Sequence, residues 1–131
     1  MHKYQPDRAI GSTWHPLVHK DNRHELAIQE DETAIVVVML GEYLRNTGDK
    51  DFVDSLYHTF IRPACKFMTS FFDEATNLPH ASYDLWEEKF LTSSYTVATT
   101  YAALIVASQF AELFGYPEDA VAWREAAARI D

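Results

Sequence analysis

Residues 90 to 111 contain no charged side chain, and this stretch restricts the possible folds more than any other part of the sequence. Its length invites a membrane-spanning interpretation. Eight hydroxyl and amide side chains make it too polar for a bilayer span: Thr92, Ser93, Ser94, Thr96, Thr99, Thr100, Ser108 and Gln109. The stretch is therefore predicted to be a buried helix, with Ser94 as candidate N-cap and its last residue, Phe114, followed by Gly115.

A second apolar helix is predicted upstream. The sequence Asp31-Glu32-Thr33 offers an N-cap and an acidic first turn, the apolar run from 34 to 44 follows, and Gly48 is a candidate stop. The β-branched residues 35 to 38 also fit a strand. Caps at both ends and a length above ten residues favour a helix.

Two further helices are expected to have one apolar and one polar face. Between 52 and 72 the apolar residues recur at helical spacing: Phe52, Val53, Leu56, Tyr57, Phe60, Ile61, Ala64, Phe67, Met68, Phe71 and Phe72. Pro63 falls on the opposite, polar face, where it should kink the helix and remove one backbone hydrogen bond. The last helix is predicted from Pro117 to Arg129.

The four predicted helices alternate in character. The first and third are apolar nearly all round, whereas the second and fourth are amphipathic. Buried inner helices paired with half-exposed outer helices suit a barrel of helical hairpins, whereas a four-helix bundle would give four similar stripes. We therefore predict an all-α fold with one domain over residues 1–131, in which 1–30 form loops and 31–131 are helical.

The charge balance excludes some partners. Eleven basic and twenty acidic residues give a formal charge of −9, which argues against nucleic acid and anionic membrane surfaces. The single cysteine, Cys65, is expected to pack inside a helix. The histidines outside the Trp14-His15 pair lack ligand spacing, so neither a metal nor a cofactor is expected. The polar N-terminal stretch has no apolar signal-peptide region, and a cytoplasmic location is expected.

Three predicted loops hold the informative polar residues: Ser12-Thr13-Trp14-His15, Gln29-Glu30-Asp31 and Asp84-Leu85-Trp86-Glu87-Glu88. Each combines an aromatic residue or a helix cap with acids or amides. Carbohydrate sites need this mixture, because aromatic rings stack on sugar rings while carboxylates and amides bind hydroxyl groups.

The third loop has the composition of an acid catalyst. A glycosidase needs a carboxylic acid that stays protonated near neutral pH and donates to the departing glycosidic oxygen. Adjacent Glu87 and Glu88 beside Trp86 offer desolvation and like-charge repulsion, which both raise a carboxyl pKa. The same glutamates also fit an acidic turn ahead of the third helix.

These segments resemble the glucoamylase family of glycoside hydrolases, in its bacterial and archaeal style. The acid-catalyst segment is similar to residues 84–88 followed by Ser94-Tyr95-Thr96-Val97-Ala98. The segment that opens an inner helix and binds the non-reducing-end sugar is similar to residues 26–34. A preceding Trp-His loop is similar to residues 12–16. The three motifs occur in the family's order and cover nearly the whole chain.

The resemblance implies an (α/α) barrel of six helical hairpins, of which this chain would supply about four helices, and an inverting mechanism. It implies that Glu87 is the general acid and that Trp86 and Glu88 bind sugar around the scissile bond. Asp84 would support that loop. Asp31 would accept hydrogen bonds from the terminal glucose-like unit, with Gln29 in the same segment and Trp14 and His15 in the preceding loop.

Two departures from the family bear on function. Fungal members carry an arginine directly before the sugar-binding aspartate, whereas this sequence has Glu30, so the substrate preference cannot be transferred from starch-degrading enzymes. Trehalose, isomaltose-type linkages and maltodextrins all remain open. The family's catalytic base lies far downstream, and no acid after Glu88 replaces it, so the chain is expected to be only a segment of the enzyme.

Two hypotheses follow. The first is an enzyme segment that hydrolyses α-linked glucosides once the rest of the barrel is present. The second is a non-catalytic helical module that binds carbohydrate or protein on the same scaffold. In either case the apolar inner helices lack neighbours, so we expect the segment to self-associate or to associate with the remainder of the barrel.

Overall fold

The computed structural model describes residues 17–18, 21, 24–25, 28–83 and 90–130. Within them, short antiparallel strand pairs precede or connect the helices. Strand β1 (Leu17–Val18) pairs with β2 (His24–Glu25), β3 (Phe72–Asp73) with β4 (Leu78–Pro79), and β5 (Ser82–Tyr83) with β6 (Phe90–Leu91). The remaining described elements are helical, which confirms the predicted all-α class.

The first helix, α1, spans Glu30–Thr47. The predicted stop is confirmed, because Gly48 adopts a left-handed conformation with φ 67° and its N–H donates to the Leu44 carbonyl at 2.8 Å. The predicted N-cap at Asp31 is wrong. The cap is Gln29, whose backbone is extended, so Asp31 lies inside the first turn.

The predicted second helix is divided into three consecutive parts. Helix α2 (Lys50–Ser55) leads into a π-helical turn (Tyr57–Ile61) and then α3 (Arg62–Ser70), where Pro63 lies in the first turn. The π-helical turn contains one extra residue, seen in the N–H of Ile61 donating to the Leu56 carbonyl at 3.0 Å. Ile61 and Arg62 keep helical backbone angles, and the Arg62 N–H donates to the Tyr57 carbonyl, so the chain stays helical up to Pro63. The expected kink stays a prediction.

The middle residues of the predicted apolar face, between 53 and 68, pack inward as expected. Val53, Tyr57, Ile61, Ala64 and Met68 are buried, whereas Phe52 at its beginning is 45% exposed, so its assignment to the core is wrong. Pro63 is exposed on the polar face as expected, together with Arg62, Lys66 and Ser70.

The last two helices form a hairpin. Helix α4 spans Ser94–Phe114 and α5 spans Pro117–Ala128, with Gly115 left-handed at φ 85° between them. The N-cap of α4 is Ser93, not Ser94, because the Ser93 hydroxyl accepts the Thr96 N–H at 3.1 Å. Trp123 of α5 is buried in the core.

Helices α1 and α4 lie side by side and run in the same direction. Tyr57, shortly after the end of α1, stacks on Tyr116 at 4.4 Å between ring centroids and contacts Phe114 at the end of α4. Gly41 and Val106, both in the C-terminal halves of their helices, are in contact. Because α2–α3 and α5 return antiparallel to them, the architecture is that of two adjacent hairpins of an (α/α) barrel.

By length and composition alone, α4 could cross a membrane, and it is the one such helix in the described part of the chain. Helices in the core of a protein meet the same criteria. One face of α4 lies in the hydrophobic core, through Ala103, Leu104, Ala107, Phe110 and Ala111.

Candidate active site

The beginning of α1 buries a short run of polar residues. Gln29 is 9% exposed, Glu30 is 0% exposed and Asp31 is 1% exposed. The extended backbone of Gln29 ends the preceding segment, and the helix begins at once with the two acids. Carboxylates are favourable near a helix N-terminus, where backbone N–H groups are unpaired, but they are ordinarily solvated. This burial brings together two of the predicted site residues, Gln29 and Asp31.

Asp31 is held in position by its own helix. Its Oδ1 atom accepts the backbone N–H of Glu32 at 3.1 Å. This bond satisfies one of the free N–H groups of the first turn. It fixes the carboxylate close to the helix end, and carboxylate oxygens are acceptors that suit donors such as sugar hydroxyl groups.

Glu30 has a strongly perturbed carboxyl group. Both of its carboxyl oxygens are buried and have no hydrogen-bond partner within that part of the chain. Burial, together with the smaller effect of the neighbouring charge of Asp31, raises the pKa of Glu30 from 4.5 to about 8. At neutral pH the group is therefore mainly a neutral carboxylic acid, which both donates and accepts a hydrogen bond.

The sequence did not identify Glu30 as a site residue. It was recognised only as a departure from the arginine of fungal relatives. The signal available in the sequence was its position between Gln29 and Asp31, directly ahead of an apolar helix. An acid at that position can either cap the helix in solvent or be buried inside the protein. Only the packing of neighbouring elements distinguishes these two situations.

The beginning of α4 supplies further buried hydroxyl groups. The Ser93 hydroxyl lies 2.9 Å from that of Thr96, and the Thr92 hydroxyl donates to the Pro79 carbonyl at 2.9 Å. Thr96 and Thr100 are buried, and the Thr100 hydroxyl has no partner among the described residues. Because α1 and α4 are parallel, these groups lie at the same end of the hairpin pair as Gln29 and Asp31.

The other predicted site residues lie outside the described residues: Trp14, His15, Asp84, Trp86, Glu87 and Glu88. The described residues on either side of 84–89 are strands β5 and β6, which pair Ser82 with Leu91. Strand β6 leads through Thr92 and Ser93 into α4. The chain therefore enters and leaves this segment beside the beginning of α4.

Two of the described acids that follow residue 88, Glu112 and Asp119, make their contacts in another part of the fold. Glu112 pairs with Arg124, and Asp119 accepts the Tyr57 hydroxyl at 2.8 Å while it pairs with Arg62 at 3.4 Å. Both lie near the end of α4, opposite the buried acids of α1. Neither is placed to act with Gln29 and Asp31 on one small ligand.

Other reactive groups are absent from this end of the described chain. Cys65 is buried in the core, as predicted, and burial raises the pKa of its thiol to about 12, so a thiolate does not form near neutral pH. No group of three His, Cys, Asp or Glu side chains within the described ranges is arranged to hold a metal ion. The chemistry available there is that of carboxyl and hydroxyl groups.

Comparison with known proteins gives two matches. The family described as glycosyl hydrolases family 15 matches residues 18–131. An uncharacterized glycosyl hydrolase of Methanocaldococcus jannaschii is 35% identical over 78 residues, which are 60% of this chain and 12% of the relative. The chain thus spans a small part of the length of that relative. No solved structure matches the chain significantly.

Proposed function

The chain belongs to glycosyl hydrolases family 15, and on that premise we propose that it is the acid-catalyst part of a glucoamylase-like enzyme. The enzyme would hydrolyse α-linked glucosides from the non-reducing end. The observation that supports this most is the burial of Glu30 and Asp31 at the beginning of α1, beside the start of α4. Buried acids with raised pKa values are typical of functional sites.

The proposed reaction inverts the configuration at the anomeric carbon. Glu87 donates its proton to the glycosidic oxygen as the bond from that oxygen to C1 breaks, so the leaving sugar departs as an alcohol. A water molecule attacks C1 from the opposite face and loses a proton to a second carboxylate. In an inverting enzyme the two carboxyl groups stand about 6.5–9.5 Å apart, with room for that water.

Substrate binding is assigned to the remaining residues. Asp31 would accept hydrogen bonds from hydroxyl groups of the terminal sugar, with Gln29 as an amide neighbour. Trp86 and Glu88 would bind the sugars around the scissile bond, and Asp84 would support their loop. The Trp14-His15 loop would complete the site. Trp rings suit this role because they stack on the apolar faces of sugar rings.

The proposed substrates are maltodextrins or related glucans. Trehalose and isomaltose-type glucosides are alternatives, because Glu30 occupies the place of the arginine that helps fungal enzymes grip the terminal sugar. A neutral carboxylic acid both donates and accepts hydrogen bonds, whereas a guanidinium group only donates. The two side chains therefore suit different arrangements of sugar hydroxyl groups.

We also propose that the general base lies outside these 131 residues and that the chain alone is inactive. Apolar residues of α1 and α4 are exposed in this chain, which supports the proposal that further protein covers them in the complete enzyme. Met39 is 62% exposed, and Tyr95, Tyr101 and Leu113 are each 45% exposed. Either the remaining hairpins of the barrel or further copies of the chain would cover these faces.

Proton NMR of the first product tests the proposal. The complete protein is mixed with maltose, trehalose or isomaltose, and the anomer is recorded before mutarotation. Release of β-glucose from one of these α-glucosides is expected. Only the glucose whose C1 is attacked is inverted, so trehalose should give equal amounts of the two anomers, and maltose or isomaltose should give an excess of the β-anomer. An initial excess of the α-anomer would overturn inversion. Binding of maltose without any hydrolysis would favour the alternative, a non-catalytic carbohydrate-binding module.

A further inference from the structure

The side chain of Glu30 ends in a polar group that no other described residue hydrogen-bonds. It is 0% exposed, and neither carboxyl oxygen has a hydrogen-bond partner among the described residues. Buried polar groups are almost always hydrogen-bonded, because leaving one unpaired costs free energy. An apolar side chain of similar size would fill this position without that cost. A partner for this carboxyl group therefore has to come from outside the described residues.

The surroundings of Glu30 argue against a cationic partner from the neighbouring helices. The face of α4 beside it carries no charge between Ser94 and Ala111. The basic side chains of α2 and α3 are exposed: Lys50, Arg62 and Lys66. The other charges in the first turn of its own helix are the acids Asp31 and Glu32, and the one basic residue of that helix, Arg45, lies in the last turn. The environment thus favours an uncharged partner for an uncharged carboxyl group.

A neutral carboxylic acid beside a carboxylate forms a donor and acceptor pair. The hydroxyl of the acid donates, its carbonyl oxygen accepts, and the carboxylate only accepts. Neighbouring hydroxyl groups of a sugar can satisfy both, since each hydroxyl donates one hydrogen bond and accepts others. Glu30 and Asp31 are adjacent and equally buried at the beginning of α1. Together they offer the donor and the acceptor oxygens that hydroxyl groups of a sugar can satisfy.

We propose that Glu30 is an additional sugar-binding residue, whose carboxylic acid donates a hydrogen bond to the same terminal sugar that Asp31 binds as an acceptor. This assignment rests on the proposed glycosidase function and deepens it. It makes Glu30 a specificity-determining residue, because a sugar without an oxygen at the matching position would leave the acid unpaired again. Discrimination by buried polar groups of this kind is large.

The test compares two variants of the complete protein, Glu30→Met and Glu30→Gln. Methionine fills the space without a hydrogen bond, so KM for maltose should rise by about 10-fold, the scale of one lost hydrogen bond. Its melting temperature should rise, because a buried unpaired polar group is removed. Glutamine keeps an N–H donor, so KM should stay within about 3-fold of the parent value. Glu32→Gln, at a half-buried neighbour, is the matched control and should change neither quantity.

A second readout follows the acid itself. In a Glu87→Gln background, which spares the substrate, the infrared carbonyl band of a protonated carboxyl group should be present and should disappear in Glu30→Gln. Saturating maltose should shift it, because the acid then donates a hydrogen bond.

Opposite outcomes separate the two proposals. An unchanged KM in Glu30→Met, or a band that maltose does not shift, overturns the sugar-binding role while glycosidase function stands. A lower melting temperature in Glu30→Met together with a normal KM would show a structural role instead. Failure of the parent protein to bind or hydrolyse any of the three glucosides overturns the proposed function, and the role of Glu30 with it.

Discussion

Gly41 of α1 and Val106 of α4 are in such close contact that a β-carbon at Gly41 would lie 2.7 Å from Cγ1 of Val106. A glycine at this point lets the two parallel helices approach each other. Their N-termini, which carry the buried acids and the buried hydroxyl groups, are positioned by the same packing. The contact therefore connects the fold to the geometry of the candidate site.

Replacing Gly41 by alanine should destabilise the chain. Valine is stiff at χ1, so its methyl group cannot turn away freely, and overpacking of this kind costs about 1–3 kcal/mol. Alanine has a higher helix propensity than glycine, which offsets about 1 kcal/mol of this cost. We expect a net loss of about 1 kcal/mol in the free energy of unfolding, measured by urea denaturation. Val106→Ala in the same background should recover part of it, and a more stable Gly41→Ala protein would show that the helices are not in contact there.

Glu30 should make the stability of the chain fall as pH rises. Its pKa is 4.5 in the unfolded chain and about 8 in the folded protein. Between these values the folded state binds the proton more tightly, so stability decreases across this range and the loss is complete above it. Glu30→Met removes the titrating group, and the difference in melting temperature between variant and parent should therefore grow from pH 4.5 to pH 8. A difference that is constant with pH would contradict the burial of an unpaired acid.

Asp31→Asn should weaken substrate capture more than it weakens folding. The amide oxygen can still accept the Glu32 N–H that Oδ1 accepts in the parent at 3.1 Å, so the melting temperature should change little. Loss of a charged acceptor for sugar hydroxyl groups should lower kcat/KM for maltose by about 10- to 100-fold in the complete protein. If kcat/KM survives while the melting temperature drops, Asp31 serves the helix terminus alone.

The 131-residue chain should self-associate. The exposed apolar side chains of α1 and α4 include Met39 at 62% and Tyr101 at 45% exposure, which favours pairing of these faces between copies. Light scattering over a dilution series should show a mass above that of the monomer at high concentration. Met39→Lys should lower that mass without affecting the core. A monomer at every concentration would contradict this prediction and would mean that these apolar faces are stable in solvent.

The helix ends were the most predictable part of the fold. Gly48 and Gly115 occupy left-handed conformations, at φ 67° and 85°, that other residues adopt only with strain, so the sequence marks these stops reliably. The N-termini were predicted less well. Ser93 and Ser94 are equally good caps by type, and Asp31 is a better cap by type than Gln29, which the fold uses instead.

The break in the second helix was visible only in part. Pro63 signals an irregularity, but nothing in the sequence says that an extra residue is inserted at Tyr57–Ile61. Packing decides this, because Tyr57 donates to Asp119 and stacks on Tyr116. The candidate site was likewise predictable only in part. Motif resemblance singled out Asp31, whereas the burial of Glu30 arises from neighbouring elements, and the assignments of Trp14, His15 and residues 84–88 stay predictions.

The role of Glu87 is the central claim, and the rate of glucoside hydrolysis by the complete protein tests it most directly. Glu87→Gln keeps the shape of the side chain but removes the proton that the leaving oxygen needs. Turnover of maltose should fall by about 10²–10⁴-fold, the usual contribution of a general acid. Glu88→Gln, its neighbour, is the matched control and should affect KM at least as much as kcat. A near-normal rate in Glu87→Gln would remove Glu87 from the mechanism and contradict the account.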